Sequence, residues 1–296
     1  MDQSIGLIGA GAMGGAIGTR LLKVGQQLVV FDLDQERVNE LQNLGAIPAQ
    51  SAVEVGQKCK AIIVSLNSAK IVELAVFGDD GVVNGVGEGT LIIDMSSIDP
   101  SSTREFSKRA KDMGLRWVDS PLSGGAPKAL IGELTLMAGG AANDVEDAHK
   151  ILRHVSSNYT HMGPSGAGQT TKLINQVLCG LNFLAVAEAT QLALDAGVDA
   201  SKIPSALKGG RADSALLQEY LPRFVEKDYR RTGRIDNMVK DLNGAQDLAR
   251  QTNTSMPLTA VCAEVHRMLT NAGLGGEDQA ALMEYFSGPD KTQFNS

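Results

Sequence analysis

Between residues 4 and 163 the apolar positions fall in short, β-branched runs, at 4–8, 27–32, 46–48, 61–66, 90–95, 116–119, 134–139 and 159–162. Stretches with helical spacing, such as 35–44 and 100–113, separate most of them. This alternation predicts a doubly wound, mostly parallel sheet with helices on both faces, the Rossmann arrangement. From about Gly168 the strand signal disappears. A nearly uninterrupted helical run reaches Gly197, and further helices are expected near 199–208, 213–227, 236–253, 257–272 and 277–286. The chain therefore reads as an α/β domain over 1–163 and an all-α domain over 164–296, joined by a long interdomain helix. The turn-rich Gly163-Pro164-Ser165-Gly166-Ala167-Gly168 marks the boundary.

Charge narrows the range of partners. Lys and Arg number 27 against 34 Asp and Glu, a net charge of −7 with no basic block, which argues against nucleic acid or an anionic membrane as partner. The 33 glycines with only 9 prolines do not describe a disordered chain. Cys59, Cys179 and Cys262 are too widely spaced for CxxC chemistry or a disulfide framework, and His149, His154, His161 and His266 form no HxH or HxxxH pair, so no metal site is expected. The opening Met-Asp-Gln-Ser lacks a basic stretch and no run of eighteen apolar residues follows, so an unprocessed cytoplasmic protein is expected.

The first run feeds directly into Gly9-Ala10-Gly11-Ala12-Met13-Gly14, a GxGxxG placed where a strand must turn into a helix. The first glycine allows the tight turn, the second lets a pyrophosphate approach the backbone, and the third lets the helix pack on the sheet. Asp32 ends the second strand, where an acid accepts hydrogen bonds from the adenine-ribose hydroxyls and repels a 2′-phosphate. NAD is the expected cofactor. Arg37 keeps NADP open.

Ser123-Gly124-Gly125 follows a predicted strand end and reads either as a plain turn or as a nest of N–H groups suited to a carboxylate. Lys172, on spacing alone, reads as a surface lysine or as a proton donor one turn into the long helix. Asn175 and Gln176 follow on its face. Ser97 closes a strand and reads as a helix cap or a cofactor-edge hydroxyl.

Taken in order, Gly9-x-Gly11-x-Met13-Gly14, Asp119-Ser-Pro-Leu-Ser-Gly-Gly125, Gly168-Gln-Thr-Thr-Lys-Leu-Ile-Asn175 and Lys240-Asp-Leu242 resemble the β-hydroxyacid dehydrogenase family over residues 4–287. Within that family the motifs are most similar to the tartronate semialdehyde reductases. The resemblance implies hydride transfer between nicotinamide and a short β-hydroxyacid or semialdehyde, with tartronate semialdehyde reduced to glycerate as the leading expectation. The alternatives are 3-hydroxyisobutyrate, threonate or a larger hydroxydicarboxylate, or a non-catalytic NAD-binding scaffold. It implies Lys172 as the acid in reduction and base in oxidation, and Ser123, Gly124 and Gly125 as the grip on the substrate carboxylate. Ser97, Leu66, Asn67 and Lys240 are expected at the cofactor, and Asn175, Gln176 and Asp241 at the substrate. Arg211 borders the pocket and reads as a contact to a second acid group or as an exposed arginine. The family has asparagine four residues after the lysine, whereas this chain has Gln176 there and Asn175 one place earlier. The family's semialdehyde reductases carry an aromatic residue where this chain has Gly233, which implies a roomier pocket. A homodimer or homotetramer is expected.

Overall fold

The computed structural model describes residues 4–287, and the chain divides into two compact units, 1–172 and 173–296. In the first unit the strands are β1 (Ile5–Ile8), β2 (Leu28–Phe31), β3 (Ile47–Pro48), β4 (Ala61–Val64), β5 (Leu91–Asp94), β6 (Arg116–Asp119), β7 (Leu122–Ser123), β8 (Leu134–Gly139) and β9 (Ser156–Gly163). They join one sheet in the order β3-β2-β1-β4-β5-β6-β8-β7, with β9 paired to β8. The pairs from β3 to β6 are parallel, and β8 runs antiparallel to β6 and β7.

Side-chain alternation along these strands accounts for the two helical layers. Leu7, Val30, Ile63, Ile93 and Val118 enter one buried cluster, and Ile8, Val29, Ile62, Ile92 and Trp117 enter another. Strands covered on both faces are apolar throughout, which is why they are conspicuous in the sequence. The helices of this unit are α1 (Ala12–Lys23), α2 (Gln35–Gln42), α3 (Ala52–Lys58), α4 (Ala69–Phe77), α5 (Pro100–Asp112), α6 (Gly125–Ile131) and α7 (Ala142–Leu152). Asp34, Ser51, Ser68 and Asp99 cap α2 to α5 by accepting a hydrogen bond from a first-turn N–H. By contrast, α1 and α6 open on Gly11 and Gly124.

In the first unit two strands depart from the sequence expectation. The two-residue β7 is not foreseen, because it is held only by its antiparallel register with β8, Leu122 opposite Leu136 and Ser123 opposite Thr135. Strand β9 begins at Ser156, ahead of the expected 159–162, since main-chain pairing with β8 recruits polar, largely exposed residues that carry no apolar signal.

The helix α8 (Ala167–Asp195) runs from the first unit into the second. It is long and apolar enough to cross a membrane by length and composition, a feature that a search for unbroken apolar runs overlooks. Its Phe183, Val186 and Ala187 are instead buried in the core of the second unit. That core also takes Leu221 and Phe224 from α10 (Ala215–Glu226), Ile235 and Leu242 from α11 (Ile235–Thr252) and Cys262 from α12 (Pro257–Leu269). The short α9 (Ile203–Leu207) precedes α10, and α13 (Met283–Ser287) is the last described element. The helix expected to reach 272 ends at Leu269, where the chain widens into a turn that brings Gly273 to φ 89°. The segment expected as a helix over 277–286 is a 3₁₀ turn, Gln279–Leu282, followed by α13.

Candidate active site

Within the first unit the candidate residues gather at the carboxyl ends of the parallel strands, where open α/β sheets bind their ligands. Gly9 turns the chain out of β1 at φ 92°, and a Cβ there would lie 2.4 Å from the Ser65 carbonyl oxygen. A Cβ on Gly14 would lie 1.9 Å from the carbonyl oxygen of Gly9, so no other residue fits that approach of α1 to the loop. Gly11 caps α1 without a side chain and leaves its first-turn N–H groups to an anion. Asp32, past the end of β2, accepts from Ala10 N–H at 2.6 Å and from Asp34 N–H at 2.8 Å, which aims its carboxylate at the loop. These features fit a dinucleotide: a glycine cradle for the pyrophosphate and an acid beside it for the ribose. Arg37 reaches the same cradle, 3.2 Å from where a Gly11 Cβ would stand, and is ion-paired with Asp34 at 3.1 Å.

The next strand ends extend the edge. Leu66, with the exposed Asn67 after it, follows β4, and its N–H donates to Ser96 Oγ at 3.0 Å. Ser97 is half-buried beside Ser96, after β5. Ser123 ends β7, and Gly124 and Gly125 follow at φ 121° and 69°, conformations that glycine adopts without strain. The turn thus has the backbone form that an anion-binding loop needs.

A buried polar network underlies this edge. Asp94 and Asp119 stand in register on β5 and β6. Asp119 accepts from Gly166 N–H at 2.8 Å and from Gln169 N–H at 3.0 Å, the opening turn of α8. Gln169 donates through Nε2 to the Ser96 carbonyl at 2.7 Å and accepts through Oε1 from Ile98 N–H at 3.3 Å. Asp94 Oδ1 accepts from Ser96 N–H. Burial pushes the Asp94 carboxyl up to about 7, against the lowering by its Ser96 hydrogen bonds, and the neighbouring Asp119 adds to the rise. Burial likewise raises Asp119, offset by the N–H groups it receives. These contacts explain why the first unit extends to Lys172, inside α8, whereas the glycine-rich turn at 163–168 is the boundary the sequence suggests. Sequence reasoning passed over Asp94, Asp119 and Gln169, although the last two stand in quoted motifs. Lys172, half-buried, lies one helical turn beyond Gln169.

In the second unit, Gln176 donates to Asp241 Oδ2 at 2.6 Å, and Asn175 Nδ2 donates to Gln176 Oε1 at 2.9 Å. Asp241 is buried and its Oδ1 lies 3.5 Å from Nζ of the half-exposed Lys240. Arg211 is exposed in the turn between α9 and α10. A Cβ on Gly233 would meet only Gln279 Cγ, at 3.9 Å. His161 Nε2 lies within 3.0 Å of the Gly140 and Gly163 carbonyls, and Cys179 packs beside the core of this unit. Among the described residues no His, Cys, Asp and Glu cluster is able to hold a metal.

Residues 4–163 match the family model for the NAD binding domain of 6-phosphogluconate dehydrogenase, and residues 166–286 match that for the NAD-binding region of NADP-dependent 3-hydroxyisobutyrate dehydrogenase. An L-threonate dehydrogenase of Cupriavidus necator is 32% identical over 97% of both chains. A 2-hydroxy-3-oxopropionate reductase of Escherichia coli is 32% identical over 95% of this chain and 96% of its own. A crystal structure of 3-hydroxyisobutyrate dehydrogenase from Salmonella typhimurium superposes with a TM-score of 0.86 at 29% identity, covering 96% of this chain and all of that one.

Proposed function

The chain belongs to the β-hydroxyacid dehydrogenase family, an NAD(P)-dependent oxidoreductase of hydroxyacids, and from that premise we propose that it reduces tartronate semialdehyde to glycerate with NADH, Lys172 serving as the proton donor. The observation that carries the reading is the tie between the cofactor edge and the lysine helix. Gln169, one turn before Lys172, is bonded to the Ser96–Ile98 main chain, and Ser96 is bonded in turn to Leu66 at the end of β4.

Bound nicotinamide supplies the hydride. The chain's own residues hold the acid and manage the proton. The Ser123 hydroxyl and the N–H groups of Gly124 and Gly125 bind the substrate carboxylate, which fixes the aldehyde two carbons away, beyond the hydroxyl-bearing C2. As the aldehyde carbon is reduced, charge develops on its oxygen, and the Lys172 ammonium transfers a proton there; in oxidation the neutral amine takes it back. Asn175 and Gln176 lie at i+3 and i+4 from the lysine on one helix face. Because the Gln176 amide is engaged at both ends, donating to Asp241 and accepting from Asn175 Nδ2, we assign the substrate hydroxyl to Asn175 Oδ1. NAD is favoured over NADP because Asp32 occupies the ribose position and Arg37, the nearby cation, already has Asp34 as its partner.

A second reading is supported by Gly233. A Cβ there would meet only Gln279 Cγ, at 3.9 Å, and if Gly233 borders the substrate, as the family resemblance implies, the missing side chain leaves room for a longer acid such as threonate. One methylene changes selectivity by only about 1–3 kcal/mol, so the decision lies in rates. The test is NADH oxidation, with NADPH in parallel, on tartronate semialdehyde, methylmalonate semialdehyde, succinic semialdehyde and glyoxylate, with threonate and 3-hydroxyisobutyrate run in reverse. A tenfold lead in kcat/KM for tartronate semialdehyde is the expected result, and a comparable lead for threonate replaces it with the second reading.

A further inference from the structure

The opening turn of a helix is ordinarily satisfied from its own chain, as Asp34, Ser51, Ser68 and Asp99 do for α2 to α5. At α8 the acceptor is instead a carboxylate distant in sequence, brought up from the end of β6. Asp119 receives Gly166 N–H through Oδ1 and Gln169 N–H through Oδ2. The fit leaves no slack around it. A Cβ on Gly139 would come within 2.8 Å of both Asp119 carboxylate oxygens, and one on Gly168 within 2.7 Å of Oδ2 and 2.4 Å of the Met137 carbonyl oxygen. The second tie, from the Gln169 side chain to Ser96 and Ile98, is 1% exposed and uses both ends of the amide.

Burying a carboxylate opposes its ionised form, and the Asp119 carboxyl is raised accordingly. A serine at the helix start would accept the Gln169 N–H without that penalty, but not the Gly166 N–H. What the distant acid adds is registration: one carboxylate and one amide fix the start of α8 to the ends of β5 and β6, the edge where β4, β5 and the glycine loop present the cofactor residues. Lys172 follows Gln169 at i+3, on the same side of the helix.

We propose that Asp119 and Gln169 are positioning residues that set the place of the Lys172 ammonium relative to the cofactor edge. The proposal rests on the reading of Lys172 as proton donor. A small misplacement of a donor costs far more in rate than in stability, since displacement by about 1 Å is able to cost about 100-fold.

The test uses the full-length enzyme with the panel substrate of highest kcat/KM. Gln169→Met keeps the length and removes both side-chain hydrogen bonds. It is expected to lower kcat about 30-fold while the Kd for NADH, from protein-to-nucleotide fluorescence transfer, stays within about threefold. Asp119→Asn, which keeps one acceptor oxygen, is expected to lower kcat about tenfold. In a Lys172→Ala background, adding Gln169→Met should change the residual turnover less than about twofold, because a residue acting through the lysine has nothing left to position. If Gln169→Met does not fold, Gln169→Glu, which keeps the acceptor for Ile98 N–H, takes its place with about a fivefold loss expected. A merely structural role would lower the melting temperature and leave kcat per folded molecule within about twofold of wild type. That outcome, or losses that multiply with Lys172→Ala, overturns the proposal. If Lys172→Ala alone keeps wild-type kcat, the donor reading falls and takes the positioning proposal with it. If Lys172→Ala is impaired while the Gln169 variants are silent, only the positioning proposal falls.

Discussion

The two units hold their candidate site residues by different means. At the sheet edge the groups are fixed by main chain: Asp32 by the N–H groups of Ala10 and Asp34, Ser96 by Leu66, Asp94 and Gln169, and the glycine loop by approaches that a single methyl group would block. In the helical unit the corresponding groups are side chain to side chain. Gln176 meets Asp241, Asn175 meets Gln176, and Lys240 stands half-exposed beside Asp241. A backbone-held group tolerates few alternatives, whereas a side-chain pair is exchangeable with its neighbours. The matched proteins bear names for threonate, 2-hydroxy-3-oxopropionate and 3-hydroxyisobutyrate, so substrate is what differs among those names.

The contrast is easiest to break with matched glycine substitutions. In Gly14→Ala the new methyl meets the Gly9 carbonyl oxygen at 1.9 Å, backbone against backbone. Overpacking of this kind costs about 1–3 kcal/mol, and with that cost falling on the loop NADH affinity is expected to drop about 5- to 150-fold in a fluorescence titration. Gly180→Ala in α8 meets only the ends of Leu242, Met238 and Cys262 side chains, at 3.3 to 3.4 Å. The helix propensity gained offsets the crowding, so stability should stay within about 1 kcal/mol and NADH binding should not change. Equal effects at the two glycines would remove the distinction between the units.

A smaller effect tests the side-chain support. Asp241→Asn leaves an acceptor for Gln176 but removes the charge shared with Lys240, and kcat/KM should fall about tenfold with NADH affinity intact. Steady-state kinetics showing the loss in NADH affinity instead would place Asp241 with the cofactor group.

The mildest prediction concerns Asp94, whose carboxyl burial holds at about 7, well above the usual carboxylate range. An acid that binds its proton more tightly folded than unfolded favours folding while protonated and opposes it as it ionises, so its contribution is lost as pH rises through about 7. Asp94→Asn, permanently neutral, should melt a few degrees above wild type at pH 8.5, with the gain smaller at pH 5 and gone below about pH 4, the unfolded carboxyl's range, in thermal scans. A gain that does not change with pH would assign the effect to packing.

Much of this was legible in the sequence, and for identifiable reasons. Strands buried on both faces announce themselves as apolar runs, so six of the expected eight fell within a residue or two of Ile5–Ile8, Leu28–Phe31, Ala61–Val64, Leu91–Asp94, Arg116–Asp119 and Leu134–Gly139, and the edge pair Ile47–Pro48 was found as well. The glycine loop and Asp32 were legible because local geometry dictates both residue type and position. What stayed hidden depends on pairing across distance: β7 and the start of β9, recruited by β8, and the Asp119–Gln169 tie, which joins residues far apart in the chain. The choice between Asn175 and Gln176 was equally hidden, because it turns on an acid that arrives from another helix.

The placement of the unit boundary within α8 bears on how such enzymes are recombined. A chimera joined at the glycine-rich turn of residues 163–168 would give the acid of one parent the helix start of another, separating Asp119 from the Gly166 and Gln169 it evolved to receive. Joined after Lys172, the donor parent's sheet, staple and lysine travel as one cassette, and the Gln176–Asp241 pair arrives intact with the incoming half. Exchange at that junction is the economical route to new specificity on an unchanged nucleotide platform.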